Sequence, residues 1–330
     1  MSVAANIFSN MIIFAVPLLL VALGGMFSER SGTINIALEG IMVIGALFGA
    51  LVLKWIYQKD FMPDSPQLAM LIAILVSGLS GSLFSWLLAF AAIRLKADQT
   101  IGGTALNMLA PAFAVVLTWA IQGQGQTVIS VPTAWIKLTP ESFGFTSSPN
   151  PGFFEIVFFK YFYLTTIVAI LVLILSWVIL YKTKIGLRIR SCGEHPHAAD
   201  SVGINVYKIR YLGVMISGML AGIGGLAFTI AAGAGFQSNV AGYGFLALAV
   251  MIFGNWKPWR IFGASLFFAF FRSIAGMSGT LSDTFSFIPR MPIYVYLMLP
   301  YVVTMIVLAF TSKKSHAPKA EGIPYDPSQR

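Results

Sequence analysis

IFSNMIIFAVPLLLVALGGM, residues 7–26, is twenty residues long and carries no ionisable side chain. As a helix it would span about 30 Å, the thickness of a bilayer's hydrocarbon core. Working outward from it, comparable apolar runs recur at 34–53, 68–93, 101–121, 161–180, 211–232, 261–277 and 292–310. A ninth, 242–253, is shorter than a normal crossing and by itself could be a re-entrant segment or a half-helix. Composition agrees with the runs: 57% of the 330 residues are hydrophobic and 10% charged, with a mean hydropathy of +0.82. A soluble chain carries about a quarter charged residues and could not hide so much apolar surface. The chain therefore reads as an all-α integral membrane protein.

Basic residues choose between eight and nine crossings. If nine cross with the N-terminus outside, fifteen of the 21 Lys and Arg residues fall on the cytoplasmic side and five outside, with Arg272 within a span. That is the sense of the positive-inside rule. Eight crossings would place the basic tail opposite the basic loop at 181–210, so nine are expected, with a cytoplasmic C-terminus. On this reading residues 1–311 form a transmembrane domain with a cytoplasmic loop at about 182–210, and the polar stretch 312–330 is a disordered cytoplasmic tail. Residues 1–26 lack the positive n-region of a secretory signal and read as a retained first helix. The outer loop at 122–152 is rich in Gly, Pro, Ser and Thr. The net charge of +9 follows from topology and attraction to anionic lipid, and gives no reason to expect nucleic acid as a partner.

Polar groups among apolar neighbours are the candidate functional residues. Glu29, Arg30, Asn35 and Glu39 crowd the break between the first two runs in FSERSGTINIALEGIMVIGA, residues 27–46. An ionisable group there faces either protein or a water-filled path. The structural alternative is that Glu29 and Arg30 pair to close a turn while Glu39 sits at the positive end of its own helix. Asn107, in TIGGTALNMLAP, and Arg272, in FFAFFRSIAGM, come next; Arg272 could instead snorkel to the surface. Gly45 with Gly49, and Gly218 with Gly222, have the spacing that lets helix backbones approach closely. There is no GxxxxGK[ST] phosphate loop for ATP, and Cys192 stands alone. His195, His197 and His316 are the only histidines and suggest no zinc site, so neither metal nor cofactor is expected.

The loop IGLRIRSCGEHPHAADSVGINVYKIR, residues 185–210, carries the most information. Pro196 suits a first helical turn and Gly203 the position just past a helix end. Between them Ala198, Ala199 and Val202 are spaced to form a small apolar face. Such a helix is either a knob for a groove in another protein or an amphipathic helix resting on lipid.

The runs at 24–46, 100–111, 193–227 and 242–259 resemble the permease subunits of ABC importers in the branched-chain amino acid and sugar permease group, nearest its nucleoside branch. The resemblance covers about 7–310. Its more specific elements are Glu29, Arg30, Gly32, Asn35 and Glu39 together with the GYGF run containing Tyr243 and Phe245. It implies that the 196–203 helix is the coupling helix, with Gly193, Glu194, Pro196, Ala198, Ala199, Val202 and Gly203 meeting a cytoplasmic ATPase. His195 stands where relatives tend to have Asn, and is the poorer N-cap. The resemblance further implies a second, often non-identical permease subunit, an extracellular lipoprotein that delivers nucleoside, and alternating access in the plasma membrane. Glu29, Arg30, Asn35, Glu39, Asn107, Tyr243 and Phe245 are the pathway or gating candidates. The rival readings are a sugar or branched-chain amino acid permease, an ATP-independent transporter, which would need intramembrane acidic relays, and a membrane-embedded enzyme, for which no catalytic set is evident.

Overall fold

The computed structural model describes residues 2–144, 152–277 and 317–327, with isolated positions between 279 and 305. Its elements are α1 (Ser2–Arg30), α2 (Leu38–Gln58), α3 (Pro66–Ala89), α4 (Gln99–Gln122), α5 (Phe153–Phe159), α6 (Leu164–Lys182), α7 (Lys184–Glu194), α8 (Pro196–Ser201), α9 (Val206–Ala232), α10 (Tyr243–Phe253) and α11 (Pro258–Gly276). Proline begins α3, α8 and α11, where its missing N–H costs no helical bond. Gly233, at φ +69°, ends α9 in the left-handed conformation. A π-helical stretch, Phe90–Arg94, extends α3, and the Asp98 carboxylate caps α4 by accepting from Thr100 N and Ile101 N.

Helix α9 is the hub, packed against α1, α2 and α3. Small residues set how closely it is approached. A Cβ added at Gly45 of α2 would lie 2.3 Å from Gly222 Cα of α9, and one at Gly81 of α3 would lie 2.4 Å from Gly218 O. Ser77 Oγ of α3 donates to Gly45 O at 2.8 Å and to Gly222 O at 2.6 Å, tying three backbones at one point. In lipid, where apolar surface alone gives little reason for helices to associate, such close packing and interhelical hydrogen bonds hold a bundle together.

Among the described residues, six helices are long and apolar enough to cross a membrane: α1, α2, α3 with its extension, α4, α6 and α9. This corrects the expectation of nine crossings. The first six apolar runs each map onto one of these helices, and the excess lies after residue 241. The 242–253 run is an eleven-residue helix, α10, roughly 16 Å long and half a bilayer. α11 replaces the 261–277 run, but Arg260 and Arg272 dilute its apolar character and it is not among the six. The 292–310 run lies largely outside the described residues. Charge asymmetry decides only a parity, and parity cannot lengthen a short helix.

The tail expected to be disordered is packed against the bundle over 317–327. Ala320 and Tyr325 are buried, Ala320 N donates to Gly193 O at 2.8 Å, and Lys96 pairs with Asp326 at 2.9 Å.

Candidate functional site

Between α1 and α2 the chain leaves helical geometry from Ser31 to Ala37, exposing backbone groups that lipid could not satisfy. Side chains from elsewhere satisfy them. Gln99 Oε1 accepts from Ile34 N at 2.7 Å, and Ser28 Oγ donates to Thr33 O at 2.7 Å. Asn107 of α4 does two jobs, its Nδ2 donating to Ile36 O at 2.8 Å and its Oδ1 accepting from Gly40 N at 2.7 Å. Asn107 is thus a cap supplied in trans to the start of α2. Asn35 is fully buried and its Nδ2 donates to Ser217 Oγ of α9 at 2.8 Å.

Glu29 and Arg30 do not close the turn by pairing with each other; both hold Trp256. Buried Glu29 accepts from the Trp256 indole Nε1 at 2.5 Å, and the Arg30 guanidinium donates to Trp256 O at 3.0 and 3.3 Å. Trp256 needs holding. It and Asn255 have φ of +50° and +52°, a left-handed conformation that is strained for a residue of that bulk. The GNWKPW turn that joins α10 to α11 is therefore fixed to the end of α1.

Glu39 caps not its own helix but α10. Its Oε1 accepts from Gly242 N at 2.8 Å and its Oε2 from Gly244 N at 2.6 Å. A carboxylate at a helix N-terminus meets unsatisfied N–H groups and the positive end of the dipole. Gly244 permits the approach, since a Cβ there would lie 2.4 Å from Glu39 N. Beside it, Tyr243 is buried with its ring 4.4 Å from Phe228, while Phe245 is half exposed. Four of the polar pathway candidates, Glu29, Arg30, Asn35 and Glu39, thus lie along one junction, with Asn107 beside it. Together they tie α1, α2, α4, α9, α10 and the 254–257 turn. Arg272 has its guanidinium 5.7 Å from the Phe14 ring centre and lies close to Tyr243.

The knob is α8. Pro196 opens it, Ala199 N donates to His195 O at 3.0 Å, and Gly203, at φ +84°, lets the chain reverse. His195 makes no side-chain cap. The apolar face expected from spacing divides: Ala198 and Val202 are exposed, but Ala199 is 3% exposed and packs inward with Cys192, Val206 and Tyr325. Gly193 is buried too, since a Cβ there would lie 2.2 Å from Arg30 O, so α7 rests on the end of α1. Glu194 and Pro196 are half-buried. The outward surface is made by His195, His197, Ala198, Ser201, Val202 and Gly203. Beneath it the Cys192 thiol is pushed up to about 11 by burial and stays protonated and unreactive near neutrality.

Sequence reasoning missed Gln99, Ser217, Trp256, Arg210 and Tyr325. Trp256, Arg210 and Ser217 have a local signal, lying in runs already singled out; Gln99 and Tyr325 do not.

A bundle of spanning helices around a polar junction, with a short helix standing off one end, suits a membrane transport permease. The chain belongs to the family described as branched-chain amino acid transport system / permease component, which it matches over residues 7–308. It is 43% identical over 323 residues to the guanosine ABC transporter permease protein NupQ of Bacillus subtilis strain 168, covering 97% of this chain and 96% of that one. It is 41% identical, with the same coverage of each, to the nucleoside ABC transporter permease protein NupC of Lactococcus lactis subsp. cremoris strain MG1363. To NupB of that strain, also a nucleoside ABC transporter permease protein, it is 25% identical over 81% of this chain and 71% of NupB. No solved structure matches the chain. The protein is a multi-pass ABC-importer permease subunit of the plasma membrane and not itself an enzyme. Family membership implies an assembly of ATPase, permease and substrate-binding components.

Proposed function

We propose that this subunit translocates nucleosides, guanosine among them, by alternating access driven by a separate cytoplasmic ATPase. The observation carrying the reading is near-end-to-end identity above 40% to two permeases named for nucleoside or guanosine transport. An uncharged solute with a flat base suits a pathway of apolar and aromatic walls with few neutral hydrogen-bond partners. The polar junction fits such a mechanism as a frame. Glu39 has both oxygens on α10 backbone N–H groups, which supports a role in holding α2 to α10 as the bundle switches. A coupling ion would compete for those same oxygens.

The 182–210 loop faces the ATPase in this proposal, and Ala198, Val202 and Gly203 of the α8 knob seat in its groove, with Gly193, Glu194, Pro196 and Ala199 supporting the knob from behind. A second, non-identical permease subunit completes the pathway, as the occurrence of NupB and NupC in one strain suggests. An extracellular lipoprotein delivers the nucleoside.

Uptake of radiolabelled guanosine, uridine, ribose and leucine by cells with and without this gene tests the substrate. Guanosine and uridine uptake should fall on deletion while leucine and ribose continue. Loss of leucine or ribose uptake with normal nucleoside entry would overturn the nucleoside assignment. Val202→Glu and Ala198→Glu, both on the exposed face, should abolish uptake at unchanged membrane levels; retained uptake would remove α8 as the ATPase contact.

A further inference from the structure

We propose that residues 317–327 form a strap that sets the pose of the α8 knob, with Tyr325 as its positioning residue, so that movement of the knob is passed to the bundle instead of being lost in a loose loop. The proposal rests on the reading of α8 as the ATPase contact.

The knob is six residues long and follows α7 after a one-residue break at His195, too short to hold its own orientation. Its inward residue, Ala199, buries against Cys192, Val206 and Tyr325. The strap contributes the largest of these side chains. The Tyr325 ring lies 5.2 Å from His197 of α8 and 5.5 Å from Tyr207 of α9, centre to centre, wedged between the knob and the helix that follows it. The same segment is tied down along its length. Ala320 N donates to Gly193 O at 2.8 Å, just before the knob. Buried Arg210 of α9 donates through Nη1 to Ile323 O at 2.8 Å. The Glu321 carboxyl reaches Glu29 at the end of α1, and burial pushes it above the usual carboxylate range. Lys96, beyond the end of α3, pairs with Asp326. One short segment therefore touches α8, α7, α9, α1 and the α3–α4 link, all at the knob's base. A polar tail without such a task would gain nothing by ordering about ten residues against conformational entropy.

Cys192 gives a direct readout, since it is the chain's one cysteine and is fully buried beneath this packing. In the assembled, reconstituted transporter, maleimide labelling of Cys192 is followed by mass spectrometry of its peptide, alongside transport per ATP hydrolysed. Removal of two aromatic contacts by Tyr325→Ala should raise the labelling rate about ten-fold. Transport per ATP should fall several-fold with ATP hydrolysis retained. Tyr325→Phe keeps the ring and should lie much nearer the parent than Tyr325→Ala does. If Tyr325→Ala does not reach the membrane, Asp326→Lys breaks the exposed ion pair with Lys96 without touching the packed ring. It should speed labelling by a smaller factor, and adding Lys96→Asp should reverse it. Labelling that is unchanged in these variants, or fast labelling with unchanged transport per ATP, overturns the proposal. The Val202→Glu result separates this from failure of the coupling reading: if Val202→Glu uncouples and Tyr325→Ala does not, the strap's role is lost and the knob's survives.

Discussion

The glycine crossing of α2, α3 and α9 and the polar junction between α1 and α2 lie in the same bundle and are held by opposite means. At the crossing, backbone meets backbone: a Cβ at Gly45 has 2.3 Å to Gly222 Cα, and Ser77 closes the space with two hydrogen bonds. At the junction the chain is unwound: Asn107 and Gln99 arrive from α4 to satisfy backbone groups that unwinding exposes, while Glu39 and Glu29 reach out to α10 and to Trp256. The first region fails when volume is added, the second when a partner is removed. Proximity there is a matter of shape, and here a matter of hydrogen-bond count. A moving permease can use both, since a packed crossing stays rigid while a hydrogen-bonded junction can exchange partners between states.

The largest effect is expected where the contrast is sharpest. Gly45→Leu has no room beside Gly222 and should cost about 3 kcal/mol or more, enough to lose a monodisperse peak on size-exclusion chromatography in detergent. Gly102→Ala is the counter-test, because its Cβ would meet only Leu88 Cδ1 at 3.6 Å. That substitution should be neutral or raise the thermal midpoint, with a stability gain of up to about 1 kcal/mol from helix propensity. Equal damage from both would mean that glycine content, not close approach, governs the crossing.

Next in size is the Trp256 contact. Trp256→Phe keeps a ring but removes the donor to buried Glu29, and the expected loss is about 2–3 kcal/mol. In a double-mutant cycle with Glu29→Gln, measured by thermal midpoint in detergent, the two changes should couple by more than about 0.5 kcal/mol. Additive losses would show that the indole acts by packing alone. Asn107→Leu should then cost about 1–2 kcal/mol, since the Gly40 N–H and the Ile36 carbonyl lose their partner together. Asn107→Asp keeps the acceptor for Gly40 N and loses the donor to Ile36 O. Its loss should be smaller, and the order Leu above Asp checks that both bonds count.

Much of this was legible in the chain. Six spanning helices follow from apolar runs because crossing a bilayer imposes length and hydropathy on contiguous residues. The part after residue 241 did not read correctly, because α10 is apolar yet eleven residues long and its place depends on Glu39, about two hundred residues earlier. Glu29, Arg30, Asn35, Glu39 and Asn107 stood out as polar groups in apolar surroundings, but spacing could not name their partners. Local reasoning offered Glu39 as a pathway group or as a cap on its own helix, whereas it caps another, and placed Ala199 on the outer face of α8 when that residue turns inward. The ordering of 317–327 was invisible for a similar reason: polar composition suggests a solvated tail, while the contacts that fix it are backbone carbonyls and one tyrosine.

The smallest effect expected is at Asp98, where the junction's logic operates locally and in solvent. Its carboxylate accepts from Thr100 N at 2.8 Å and Ile101 N at 3.0 Å at the start of α4, and these backbone N–H groups hold it below the usual carboxylate range. A carboxyl depressed in the folded state contributes stability above its unfolded pKa, and that contribution is lost as the pH falls through the folded value. Asp98→Ala should therefore lower the thermal midpoint slightly at neutral pH and not at all at a pH below the folded value. Asp98→Asn, still a good cap, should sit between parent and alanine at neutrality and lack this residue's share of the acid dependence. The check is a set of thermal midpoints across acid and neutral pH for the three proteins. A difference between the parent and Asp98→Ala that did not shrink on acidification would assign the cap's effect to side-chain volume or backbone preference, and would set Asp98 apart from Glu39, whose charge meets the start of α10 inside the bundle.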